Sequence, residues 1–371
     1  MKALLAFPDT ASPFPRLRMT ASLALWLFAV SGFGIDLDRV SINGFTSIEV
    51  EKQLDEVGPG DPNYSIDADL FDLLLNFQIG ERMRATVDLA WEHGAETNRS
   101  YGSTNLEYAF IEHTILDEIK VRIGKILTPF GIFNEIHRAK PAYLSVNVPV
   151  STTSPGAFAP LGFSFFPRAG VGLSLQGETT FDYGKTLAYN LSIANGMQDS
   201  ASNPYERDGN KSKSVTVRVR FDVMENMRVG KSFYVDNPAD SDPRIAFSDG
   251  YEMEYSLGNF RLLSEFVIGH QFRDGTDTTE SQSQQRGFYA QPSYAFDLGL
   301  IPYLRFEFVD PDTRNDKDFS MAFITGVHYE ISKWYMIKLE TDYFHFGSRS
   351  RVAPVAGFGY TEVKMSLVLG F

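Results

Sequence analysis

Apolar and polar residues alternate with period two along most of this chain, and that pattern predicts strands. Phe71, Leu73, Leu75, Phe77 and Ile79 alternate with Asp72, Leu74, Asn76 and Gln78. Met83 to Trp91 opposes Arg82, Arg84, Thr86, Asp88 and Glu92. Leu106, Tyr108 and Phe110 read as one face against Glu107 and Ala109. Ile119, Val121 and Ile123 read as one face against Lys120, Arg122 and Gly124. The second half repeats the theme: Val215, Val217, Val219 and Phe221 oppose Thr216, Arg218, Arg220 and Asp222. Counting from a first strand near residues 42–50 gives about sixteen strands and no convincing helix. Lys231 is a misfit, because it falls on the apolar phase of its strand.

The connections alternate short and long. Gly80-Glu81, Met224-Glu-Asn, Gly258-Asn259 and Ser332-Lys333 are short; 53–65, 94–103, 196–211, 236–249, 273–285, 310–317 and 347–357 are long. A closed antiparallel barrel in a membrane has short turns at one rim and long loops at the other, and its even strand count leaves no edge in lipid. The predicted fold class is therefore all-β: a transmembrane antiparallel β-barrel of about sixteen strands, spanning 35–371. Sixteen strands is also a size that leaves an aqueous channel. The chain ends on Tyr360-Thr-Glu-Val-Lys-Met-Ser-Leu-Val-Leu-Gly-Phe371, a strand apolar on one face. This aromatic terminus resembles the signal read by the barrel-assembly machinery of Gram-negative bacteria.

Composition narrows the picture. The chain has 371 residues, no cysteine and 14% aromatic residues. That excludes disulfides and thiolate metal sites. Residues 20–35 form the longest uncharged apolar run, too short for a membrane helix of roughly 20 residues. With its basic flank it reads as a secretory signal over 1–34, and Met19 is an alternative start. Cleavage near Gly34 would remove three positive charges and one negative, taking the net charge from −13 to −15. That acidity argues against a nucleic-acid partner.

The longest connection, 128–162, follows the fifth strand. It opens Arg122-Ile-Gly-Lys-Ile-Leu-Thr-Pro-Phe-Gly-Ile-Phe-Asn-Glu-Ile-His-Arg-Ala-Lys. Gly124-Lys125, then Pro129-Phe130-Gly131, then a long third loop resemble the outer-membrane porin superfamily, most closely its phosphate-selective porin O/P-like group. The resemblance implies a sixteen-stranded barrel, a homotrimer, and a third loop folded inward to narrow the pore. It also implies a bacterial outer-membrane location, with membrane lipids and lipopolysaccharide as neighbours and Phe371 as the contact with the assembly machinery.

Inward folding would bring Glu135, His137, Arg138 and Lys140 to the narrowest point. Arg82, Arg84, Lys120, Arg122, Lys125, Arg218 and Arg220 would line the path. Rings of one charge select ions of the other. The cluster of cations leans toward anions such as phosphate, but many acids share the lumen phase, among them Asp72, Asp88, Glu252, Glu307 and Glu340. Most could simply pair across strands and keep the lumen wet. The expected function is passive diffusion of small hydrophilic solutes and ions. The alternative is a channel for apolar or aromatic solutes, with Phe158, Phe163, Phe165 and Phe166 as a greasy track.

No catalytic motif, cofactor motif or metal-ligand spacing emerges, and no enzyme is expected. Asp236, Asp240 and Asp242, and Asp274 with Asp277, read as solvated loop tips rather than complete calcium loops.

Overall fold

Alternation along each strand gives every segment one apolar and one polar face, and the chain satisfies both by closing on itself. The computed structural model describes residues 37–55, 63–92, 103–153, 164–181, 184–196, 212–237, 245–271, 283–348 and 356–371. The signal segment 1–34 lies outside them, as do Phe158, Phe163, Asp240, Asp242, Asp274 and Asp277.

Among the described residues there are sixteen strands. They are β1 (Val40–Gln53), β2 (Ser65–Gly80), β3 (Met83–Glu92), β4 (Ser103–Leu116), β5 (Ile119–Leu127), β6 (Ala169–Thr180), β7 (Thr186–Ala194) and β8 (Ser214–Met224). They continue as β9 (Met227–Asp236), β10 (Ala246–Leu257), β11 (Phe260–Gln271), β12 (Ser283–Tyr294), β13 (Leu300–Asp310), β14 (Ser320–Ser332), β15 (Tyr335–Phe346) and β16 (Gly359–Gly370).

Each strand pairs with its sequence neighbour, and β1 pairs with β16 to close the barrel. The seam runs antiparallel from Phe45 opposite Gly370 to Gln53 opposite Glu362. Gly44 and Phe371 exchange both backbone hydrogen bonds, at 3.1 and 2.9 Å, so the last residue belongs to the seam. The β10–β11 and β12–β13 turns place Gly258 and Gly299 at φ 57° and 74°, the left-handed region that glycine enters without strain.

The outer face is apolar. Ile48, Ile123, Leu191, Leu304, Phe323, Leu339 and Met365 are all exposed there. That surface suits lipid, since every strand is hydrogen-bonded to a neighbour on both sides around the ring. Lys231 does face outward: it sits opposite Val219 and Tyr251, with no register shift to turn it inward. Its ammonium bridges Asp249 at 3.0 Å and lies 5.2 Å from the centre of the Tyr251 ring.

One strand departs from the expected phase. The β3–β4 register slips between Asp88 and Leu89, opposite Tyr108 and Leu106, which leaves Glu107 as the extra residue of a bulge. Beyond it Tyr108 and Phe110 share the inner face with Glu112, because they sit opposite Asp88, Thr86 and Arg84. The simple reading of Tyr108 and Phe110 as outward is thereby corrected.

Candidate functional site

The third long connection runs from Thr128 to Arg168, six residues past its expected end. Its described part holds two 3-10 turns, Asn134–Ile136 and Lys140–Ala142, and a short helix, Val150–Thr153. Such a segment leaves many backbone donors and acceptors without local partners, and buried ones must find them elsewhere. They find inward side chains of the barrel wall. The Gly131 N–H donates to Ser232 on β9 (3.1 Å), Ile132 to Glu265 on β11 (2.5 Å), and Ser151 to Glu307 on β13 (2.9 Å). The Val146 N–H donates to Glu340 on β15. Arg305 on β13 donates to the Asn147 carbonyl at 2.9 Å, and Ser248 on β10 to the Phe165 carbonyl at 2.5 Å.

Aromatic side chains fill the rest of this contact. Phe130 and Phe166 stack with centroids 4.2 Å apart and bury with Phe165, Tyr234 and Val267. Gly250, Gly269 and Gly287 on β10 to β12 make room for them. A Cβ at Gly250 would come within 2.5 Å of the Phe130 ring, and one at Gly269 within 2.7 Å of Phe165. Phe165 and Phe166 are therefore packed against the wall rather than presented to a solute.

The expected site residues divide into groups. Lys140 pairs with Glu49 on β1 and with Asp69 on β2, the latter at 2.6 Å. Arg138 pairs with Glu92 on β3 and with the bulged Glu107 at 2.8 Å. His137 is buried; its Nδ1 lies 2.6 Å from the Asn134 carbonyl and its Nε2 3.5 Å from Glu107. Burial holds the His137 pKa below the usual imidazole value, against the opposing pull of Glu107. Glu135 accepts from Arg218 at 2.9 Å, and Arg218 also makes a two-pronged contact with Glu252 (3.2 and 2.8 Å). Arg84 and Arg122 share Glu112, at 2.9 and 2.7 Å.

Two expected residues are elsewhere. Lys125 shares the outer face with Ile123 and Val171, and its ammonium donates to the Leu106 carbonyl at 2.6 Å. Period two puts Arg122 inward and Lys125 outward, so Lys125 does not line the lumen. Arg82 sits in the β2–β3 turn and donates to the Ile115 carbonyl at 2.9 Å, which places it at the rim.

Two charged cavities flank the segment. One, of about 480 Å³, is lined by Arg138, Lys140, Arg168, Glu307, Asp342 and Lys364 among others. The second, of about 280 Å³, is lined by Lys120, Glu135, Gln176, Glu178, Arg218 and Arg220 among others. Every cation just named in the larger cavity pairs with a carboxylate except Arg168, which makes no ion pair or side-chain hydrogen bond among the described residues. In the smaller one, Lys120 and Arg220 are likewise without such partners among the described residues.

Sequence reasoning missed Arg168, Glu112, Glu49 and Asp69. Arg168 follows Pro167 just past the expected loop end. Glu112 would have emerged had the bulge at Glu107 been recognised.

No family model matches the chain. A protein from Aquifex aeolicus (strain VF5), described as uncharacterized, is 25% identical over 238 residues, covering 61% of this chain and 48% of that protein. The chain thus spans about half the length of this curated relative. Solved structures of similar fold include an anion-selective porin from Comamonas acidovorans (TM-score 0.64, 13% identity, 90% of this chain and 99% of that one). Salmonella typhi OmpF, in complex with daunomycin, is similar at TM-score 0.63 and 12% identity, over 90% and 97%. The outer membrane channel DcaP of Acinetobacter baumannii gives 0.59 and 12%, over 90% and 97%. The closed sixteen-stranded barrel with its apolar outer face is the fold these structures share, and it fits the outer membrane of a bacterium.

Proposed function

We propose that this protein is a porin that passes small hydrophilic solutes and ions by passive diffusion, with residues 128–153 and 164–168 folded into the lumen as its constriction. One observation carries the reading. The backbone of this segment is bonded to inward side chains on β9, β10, β11, β13 and β15, while Arg138 and Lys140 reach β1 to β4. A segment that touches so much of the inner wall crosses the lumen, and charged cavities remain on its flanks.

Within this reading the pore leans to anions such as phosphate. Paired charges largely cancel beyond a Debye length of about 8 Å at physiological salt. Arg168, Lys120 and Arg220 are not cancelled in this way, and they line the cavities on either flank. The Comamonas porin's description as anion-selective is in keeping with this. Acids remain numerous, so the selectivity is weak rather than strict.

Assembly as a homotrimer belongs to the same proposal. An apolar groove of about 520 Å³ on the outer face, lined by Val50, Val327, Leu339, Val363 and Met365, offers a surface for a second copy or for the acyl chains of membrane lipid and lipopolysaccharide. Phe371 at the seam would be the part read by the assembly machinery.

Planar-bilayer recording tests the pore. A steady ohmic current is expected, with a reversal potential of anion sign across a salt gradient. Arg168→Glu and Arg220→Glu should each move that potential toward the cation side. No current from a verified folded barrel would remove the pore, and a potential indifferent to both substitutions would remove the anion preference.

A further inference from the structure

Lys338 stands on the inner face of β15 and is 0% exposed. Burying an ammonium is costly unless its charge and all its protons are compensated. Lys338 has no carboxylate at ion-pair distance among the described residues. Its three N–H donors go instead to three carbonyls of one short stretch: Lys140 at 2.6 Å, Tyr143 at 2.7 Å and Ser145 at 2.8 Å. The Tyr143 ring lies beneath it, 4.3 Å from centroid to nitrogen.

The neighbouring inward position on β15 is Glu340, and it accepts the next backbone donor, the Val146 N–H. Two successive inward residues of one strand, a cation and an anion, thus meet carbonyls and then an N–H of the segment. The match is to backbone polarity, with no segment side chain taking part except the Tyr143 ring. Carbonyls brought together around a point without a cation there would repel one another.

We infer that Lys338 is a positioning residue for the constriction: its ammonium is the template around which residues 140–146 take their shape. This rests on reading residues 128–153 and 164–168 as the constriction. By fixing the Lys140 carbonyl, Lys338 sets where the Lys140 and Arg138 side chains emerge, opposite Glu49 with Asp69 and Glu92 with Glu107. Lys338 touches no solute on this account. It acts through the segment it shapes.

The chain has no cysteine, so a single one is a clean probe. Ser145 is 0% exposed, and Ser145→Cys is nearly isosteric. Labelling by a charged thiol reagent should be slow in Ser145→Cys alone. Adding Lys338→Met should speed it by at least about tenfold, because three buried acceptors lose their donors together. In Ser145→Cys with Lys338→Ala, methylammonium should restore slow labelling, since it supplies charge and N–H donors to the vacated space. Tetramethylammonium, which has charge but no donor, should not.

Equal labelling with and without Lys338→Met would overturn the inference. So would acceleration in Lys338→Ala that methylammonium fails to reverse, or that tetramethylammonium reverses equally well. Heat-dependent gel mobility verifies that each barrel is folded. Labelling does not depend on conduction, so a parent protein without current would remove the pore reading and leave this result standing.

Discussion

Two regions of the inner wall carry similar residues and use them differently. On β11, β13 and β15, Glu265, Arg305, Glu307, Lys338 and Glu340 are buried and bonded to the backbone of the 128–168 segment. On β3 to β5, Arg84 and Arg122 both pair with Glu112, and on β8 and β9 Arg228 pairs with its cross-strand neighbour Asp222 at 2.6 Å. The first region docks the peptide groups of the segment, and the second pairs its charges within the wall. Strand alternation turns these side chains inward in both, with its phase shifted on β4 by the bulge at Glu107. What differs is whether another stretch of chain arrives to take the charge.

The largest effect that could break this contrast is at Glu307. It is 1% exposed, pairs with Arg305 at 2.8 Å and accepts the Ser151 N–H. Glu307→Leu leaves the Arg305 guanidinium with Glu340 at 3.8 Å as its remaining acid. A loss of about 3–5 kcal/mol is expected, typical of breaking a buried pair, and urea titration of the refolded barrel measures it. Gly269→Leu comes next. Its Cβ would meet Phe165 at 2.7 Å and the Gln285 amide oxygen at 3.1 Å. Overpacking of this kind costs about 1–3 kcal/mol, and here it should also push the segment off the wall and raise single-channel conductance.

Two groups outside the strands sharpen the contrast through pH. His137 has its pKa lowered by burial, so the unfolded chain takes up its proton first as pH falls below the ordinary imidazole range near 6.5. Docking of the segment should weaken through that window, and His137→Gln should flatten the response. Asp318, in the β13–β14 connection, behaves oppositely. Burial first, then the charges of Asp310 and Asp312, push its pKa up to about 6. The folded form therefore takes its proton first, and the connection gains stability as pH drops from 7 toward about 4. A larger amide-exchange protection factor near 318 at pH 5 than at pH 7, with the difference abolished in Asp318→Asn, is the expected result. The smallest effect belongs to Arg84→Ala. Arg84 is half exposed and Glu112 keeps Arg122, so a change of about 0–1 kcal/mol is expected.

The strands were legible in the sequence because lipid and water impose period two on every crossing. Sixteen strands, the short and long connections and the cross-strand pairs all follow from that one constraint. The phase of β4 was not legible, because the extra residue at Glu107 flips everything after it while leaving composition unchanged. Lys125 was drawn inward by the Gly-Lys motif although its own parity pointed out. Four of the segment's charged residues were found, Glu135, His137, Arg138 and Lys140, and Arg168 was not. Their partners Glu49, Asp69 and Glu107 lie on strands distant in sequence, and no local pattern announces such a meeting. Glu340 appeared only as one lumen acid among many, two positions from Lys338. Their partners are peptide groups, and a peptide group leaves no signature in a sequence.

The seam between β1 and β16 has a consequence for how the molecule is made. Phe45 meets Gly370, and Gly44 meets Phe371, across almost the entire length of the chain. Every shorter nascent chain therefore has two open edges, each a row of unpaired peptide groups able to recruit another chain. Closure is also the contact that spans the longest loop, and so the one that rewards chain entropy last. A truncation that removes only β16 would leave most strands able to pair and still deny the cylinder its final join. The vulnerable interval in this protein's life is the time between the emergence of β1 and the arrival of β16.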